Sequence, residues 1–142
     1  MKTKKVTVLI KEPNGKPILK DIEDDYKVFQ GLVGGDFEIT TLPNIKNVIC
    51  YMNETGKLEA LEPNLLLPHL SDVLLGTCVM VGVTNDGESK SLTNSQIRQC
   101  KKYIEYFDYP NAYDFYNEKD RRLLKSGMAE IYDDYLRDEA EM

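Results

Sequence analysis

Residues 34–83, GGDFEITTLPNIKNVICYMNETGKLEALEPNLLLPHLSDVLLGTCVMVGV, hold most of the apolar, β-branched and turn-forming residues from which a sheet can be built. At their start, DFEITTL (36–42) sets Phe37, Ile39 and Thr41 on one side and Glu38 and Thr40 on the other, the period of a half-buried strand. Pro43-Asn44 turns the chain into a second strand, NVICYM (47–52). Asn53-Glu54-Thr55-Gly56 then leads to a third, KLEAL (57–61), so that two hairpins predict an antiparallel meander. Pro68 interrupts the apolar run Leu65–Leu75 and Ser71-Asp72 changes its direction, which predicts a loop or a single helical turn across the sheet. GTCVMVGVT (76–84) is apolar on both faces, as a central strand covered from both sides must be.

The flanking segments fit around this sheet. KVTVLIK (5–11), the turn residues Pro13-Asn14-Gly15 and the return PILKDI (17–22) predict a hairpin. Asp24 or Asp25 can cap a short helix bearing Tyr26, Phe29, Leu32 and Val33, which Gly34-Gly35 stops. GLVGGD lacks both the GK[ST] ending and the GxGxxG spacing of phosphate-binding loops. Thr93 and Gln96 fit a capping box, and Ile97, Cys100, Ile104 and Phe107 recur at helical spacing behind it. The fold class expected is α+β: a mostly antiparallel sheet of about five strands with one short and one longer helix packed on it, then a C-terminal helical extension.

Composition narrows the function classes. With 42% hydrophobic and 30% charged residues and no apolar run of spanning length, the 142-residue chain reads as a cytoplasmic protein without a membrane segment. Cys50, Cys78 and Cys100 are odd in number, form no CxxC pair and fall in apolar settings, so all three read as small core residues. His69, the only histidine, adds too few donors for a structural zinc, and no metal, cofactor or catalytic set is expected. Up to Lys102 there are 13 Lys+Arg against 13 Asp+Glu; from Tyr103 onward there are 5 against 11, so the net charge of −6 lies in the C-terminal part. Seven of the nine tyrosines are there as well. Direct nucleic-acid binding is not expected, because it needs clustered Lys and Arg to displace counterions.

Several spaced motifs carry a resemblance over residues 5–107. Leu32 to Glu38 (LVGGDFE), Leu42-Pro43, Asn53 to Asn64 (NETGKLEALEPN), Asp72 to Gly82 (DVLLGTCVMVG) and Ser91-Leu92-Thr93 occur in an order that resembles a small, uncharacterised α+β domain family. That family is found chiefly in phages, plasmids and conjugative elements of Gram-positive bacteria, and it brings no established activity. The resemblance implies an accessory role toward a host, interference with a defence nuclease of anti-restriction or anti-CRISPR type included.

The organisation expected is a core domain over 1–108 and an acidic, Tyr-rich helical appendage over 109–142. Within the appendage, helices are predicted over 112–125 and 128–137, separated by a stop at Ser126-Gly127. The second has Met128, Ile131, Tyr132, Tyr135 and Leu136 on one side and Glu130, Asp133, Asp134, Arg137 and Asp138 on the other. Such a face is ordinarily just solvated. Carboxylates beside tyrosines also suit contact with a host protein that has a basic surface, through Tyr113, Tyr116, Glu130, Tyr132, Asp133, Asp134, Tyr135 and Asp138. A monomer or a homodimer fits equally. The alternative is a small-ligand or nucleotide-signal pocket built from Asn64, His69 and Thr77, although a turn asparagine and a histidine bonded to a loop carbonyl are the plainer readings. Glu38 and Glu59 occupy outward strand positions, and an enzyme of unknown type ranks last because no nucleophile, base and orienting group stand at a recognised spacing.

Overall fold

The computed structural model describes residues 4–56, 59–70, 72–109, 116–117, 122–123 and 125–140 and, beyond residue 109, the side chains of 131–138 alone. Among the described residues no helix is long and apolar enough to cross a membrane.

The N-terminal hairpin forms as its pattern dictates. β1 (Lys5–Lys11) and β2 (Ile18–Glu23) pair antiparallel from Lys5↔Glu23 to Ile10↔Ile18. The turn closes through Gly15 N–H on Glu12 O at 3.0 Å, with Asn14 at φ 62°. Asp25 caps α1 (Tyr26–Val33) by accepting from Lys27 N–H at 2.8 Å, and Gly34, at φ 84°, ends the helix in the left-handed region. β3 (Phe37–Leu42) turns through Asn44 into β4 (Ile45–Asn53), with a register shift between Thr41 and Leu42.

Two corrections follow. The described part of KLEAL, residues 59–61, turns where a strand is expected: Glu59 N–H donates to Thr55 O and Leu61 N–H to Gly56 O, both at 3.0 Å, and Ala60 sits at φ 54°. The far edge of β4 is taken by β7 (Cys78–Val83), with Val48 opposite Gly82 and Cys50 opposite Met80. The leucine-rich run is itself a hairpin rather than a loop. β5 (Pro63–Leu67) and β6 (Asp72–Leu75) pair antiparallel around a single 3-10 turn at Pro68–Leu70. The proline stands in the turn, where its missing N–H interrupts no ladder.

The main sheet runs β2-β1-β7-β4-β3, and β8 (Ser89–Lys90) extends the β1 side of β7 beside Gly82 and Val83. β7 is central and covered on both faces, as its sequence requires. Val79 and Val81 join Phe29 and Val33 of α1 in one cluster. Cys78 and Met80 join Leu65, Leu66 and Leu67 of the hairpin, and residues of α2 (Asn94–Phe107), in the other. The capping box of α2 is complete, with Gln96 N–H donating to Thr93 Oγ1 at 3.1 Å and Thr93 N–H to Gln96 Oε1 at 3.0 Å. The same Gln96 amide reaches the Lys46 and Asn47 carbonyls at 3.2 and 3.3 Å, which ties the helix start to β4.

Of the two helices expected in the C-terminal part, the second forms within a longer one and the first gives way to strands where it is described. Where residues 112–125 are described, β9 (Tyr116–Asn117) and β10 (Arg122–Leu123) pair antiparallel, and β10 lies beside β6; the rest of that expected helix lies outside the described residues. α3 (Lys125–Ala140) runs through Ser126 and Gly127, which were read as a stop. It docks on the body: Tyr135 is wholly buried, its ring edge-on to those of Tyr103 and Phe107, and its hydroxyl donates to Pro43 O at 2.9 Å.

Gly82 is where β8 can approach β7, because a Cβ there would lie 2.8 Å from the Lys90 carbonyl oxygen, which is backbone and cannot rotate away. Gly82→Ala is expected to destabilise the protein by about 1–3 kcal/mol through overpacking, read as a lowered urea midpoint. Gly87→Ala, with open space around it but φ 86°, is expected to cost less, about 1 kcal/mol.

Candidate functional site

The hairpin lies over one face of the sheet and leaves a cleft of about 350 Å³ against β3 and β4. Its floor includes Met52, Leu67 and Leu74, and its polar wall comes from Glu38, Glu54 and Asp72. Among the described residues that line it, every charged one is a carboxylate. Leu70, at the hairpin tip, is half exposed beside it. Glu38 was read as an outward strand residue, which it is; the cleft was not foreseen because it exists only once Leu65–Leu75 folds as a hairpin. Glu59 is exposed in the turn after β4 and does not meet Glu38 there.

The three residues of the ligand-pocket reading do not share a cavity. Asn64 is fully buried, its Oδ1 accepting from Lys11 Nζ and its Nδ2 donating to the Lys11 and Gly76 carbonyls, all at 2.8 Å. With those bonds made, its amide is a structural bracket between β1 and the hairpin. Thr77 lines a different cleft, of about 360 Å³, together with Glu12 and Glu62. His69 stands at the hairpin's other end, its Nε2 3.0 Å from Thr40 Oγ1. Thr40 Oγ1 also stands 3.0 Å from Thr41 O, in donor geometry. Burial lowers the His69 pKa, against the opposing pull of the Thr41 carbonyl, and the ring is neutral at pH 7.

Lys11 is the group that the sequence concealed. It is 1% exposed, and its ammonium meets three acceptors: Asn64 Oδ1 and Glu12 O at 2.8 Å, and Asp108 Oδ1 at 3.1 Å. The Asp108 oxygen lacks the direction of a hydrogen bond and acts through its charge. Nothing in the KVTVLIK pattern marks this lysine, because a strand-terminal lysine normally reaches solvent.

The thiols are core residues, as their setting implied: Cys50, Cys78 and Cys100 are buried and free. The Cys78 thiol and burial push Cys50 well up, and burial pushes Cys100 up to about 12. Among the described residues no group of three or more His, Cys, Asp and Glu could hold a metal ion.

Of the residues expected to touch a partner, Asp133 and Asp134 are exposed on α3, and Tyr132 and Asp138 are partly covered. Tyr135 is corrected: wholly buried and bonded to Pro43 O, it anchors the helix and has no surface to offer. Asp138 faces α2, where it borders a shallow site with Arg98, Lys101 and Lys102. Tyr113 lies outside the described residues, and Tyr116 and Glu130 belong to β9 and α3, with their side chains outside them.

Lys11→Met is expected to cost about 3 kcal/mol by stranding the Asn64 and Asp108 acceptors, read from urea unfolding. A neutral thiol reagent at pH 8 is expected to leave the folded protein unmodified and to label all three cysteines once urea has unfolded it, since all three thiols are buried and those of Cys50 and Cys100 have raised pKa values.

With the geometry described, comparison with known proteins adds one finding: residues 5–108 match the model of a family described as a domain of unknown function, DUF3846. Neither a search of curated proteins nor one of solved structures found a match.

Proposed function

Because the chain belongs to the DUF3846 family, whose membership brings no activity with it, we propose from charge and geometry that it is a non-enzymatic accessory protein that binds and modulates another protein through a basic surface on that partner. The observation that carries this reading is the outer face of α3. Asp133 and Asp134 point to solvent, while Tyr135 fixes the opposite side of the same helix in the core. Carboxylates held on an anchored helix lose little freedom on binding, and their field speeds encounter with a cationic partner. Arg137, 3.4 Å from Asp134 and exposed like it, offsets part of that field.

The partner class follows from the resemblance to families of mobile elements: a host protein, and among host proteins a defence nuclease. Such an enzyme carries a cationic groove for a phosphate backbone, and a carboxylate-bearing helix can occupy it. A nucleotide or other small ligand is the weaker reading, because Asn64, His69 and Thr77 lie apart and the cleft beside Thr77 is flanked by Glu12 and Glu62, which repel phosphate.

The test is affinity capture from the native host with the full chain and with Asp133→Lys/Asp134→Lys. Capture is expected to fall by about tenfold or more in the variant and to weaken with salt, while the thermal midpoint holds because both side chains are exposed. Equal recovery by the two chains would count against the reading.

A further inference from the structure

β3 is the outermost strand on its side of the main sheet, and among the described residues no strand pairs with its outer edge. Glu54 N–H donates to Asp36 O at 2.9 Å, which sets the phase of the β3–β4 ladder. By antiparallel alternation, Glu38 and Thr40 then bond toward β4, and the N–H and C=O of Phe37 and Ile39 point outward. An edge of this kind is usually blunted by lysine, proline or a bulge. FEITTL contains neither residue, and its one register shift falls at the far end, between Thr41 and Leu42. β2, the opposite edge, carries Lys20, Asp21 and Glu23.

The two faces of β3 differ. Glu38 and Thr40 face the hairpin and line the carboxylate-walled cleft with Glu54 and Asp72. Phe37 lies on the α1 side, its ring edge-on to Tyr51 at 4.7 Å, and Ile39, opposite Tyr51 in the register, is 49% exposed. A large apolar side chain therefore stands uncovered on one face of an unprotected edge, with concentrated negative charge on the other. The cleft is not a cation site: no metal-holding group occurs among the described residues, and Asp72 Oδ1 already accepts from Val73 N–H at 2.7 Å.

We propose that the outer edge of β3 binds an extended segment of a partner protein in which basic and apolar residues alternate. The segment adds a strand to the sheet through the outward N–H and C=O groups of Phe37 and Ile39. Its side chains alternate between faces, so every second residue enters the cleft and meets Glu38 and Glu54, while those between cover Ile39. The charge in the cleft selects lysine or arginine at the first set, and the exposed isoleucine selects apolar residues at the second. This proposal rests on the protein-binding reading and gives that reading a second surface, independent of α3.

The experiment titrates the full chain into a fluorescein-labelled peptide of alternating lysine and valine and follows anisotropy. Three controls accompany it: alternating glutamate and valine, the lysine peptide N-methylated at every second residue, and the lysine peptide with its order scrambled. Saturable binding is expected for the lysine-valine peptide alone. Ile39→Pro removes an outward donor and the exposed side chain without breaking a ladder bond to β4, and is expected to weaken it by about tenfold or more. Glu38→Lys/Glu54→Lys, both exposed positions, is expected to do the same without a change in thermal midpoint, and it serves if the proline variant fails to fold. Absence of saturable binding would overturn the proposal, as would equal binding of the N-methylated or scrambled peptide. Loss of binding in Asp133→Lys/Asp134→Lys but not in Glu38→Lys/Glu54→Lys would also overturn it, by moving the contact to α3. None of these failures would touch capture of a protein partner through α3, which its own experiment decides.

Discussion

A lysine ammonium inside the core constrains the rest of this structure. A buried ammonium is costly unless acceptors surround it, and the three that meet Lys11 come from the chain just after β1, from β5 and from the end of α2. Asn64 completes the arrangement by returning its amide hydrogens to the backbone on either side. Ion pairs of this kind add little net stability over an apolar core of the same shape. What this one supplies is position: the hairpin sits in the single register at which Asn64 meets Lys11, and the cleft against β3 is a result of that placement.

Two tyrosine hydroxyls hold the same layer from above. Tyr103 donates to Leu66 O at 2.6 Å and Tyr135 to Pro43 O at 2.9 Å, so α2 grips the hairpin and α3 grips the β3–β4 turn. Burial holds the Tyr103 phenol far above its ordinary pKa, and it remains a donor throughout the physiological range. The acidic helix is thus joined to the body by a buried side chain, even though the body is electrically balanced and the helix is not.

The sheet and both of its main helices were legible because their signals are local: alternation in β3, two-sided apolarity in β7, the Thr93–Gln96 box and the Gly34 stop. The misreadings arose where tertiary context decides. Pro68 was taken to break a run that it actually turns, and KLEAL alternates like a strand yet finds the edge of β4 already occupied by β7, whose residues lie far downstream. Ser126-Gly127 reads as a helix stop but is carried within α3, where packing through Tyr135 outweighs the local preference. The acidic character of the C-terminal part was plain from composition. That Tyr135 faces inward could be read from helical period, since it shares a side with Ile131 and Tyr132. The cleft and the burial of Lys11 could not, because both depend on which strands meet across the fold.

The partnership of β1 with β7 bears on how the chain assembles. Leu9 pairs with Met80, about seventy positions downstream, so β1 waits for most of the body before the centre of the sheet can close. Until then the N-terminal hairpin has only its own two strands, too few to be stable in water. Closing so long a loop costs entropy before any contact repays it, which slows folding relative to a chain held by local contacts. The nascent chain therefore passes through an interval in which the leucine-rich segment and the apolar β7 run are both without cover, and its yield in the cell depends on how short that interval is.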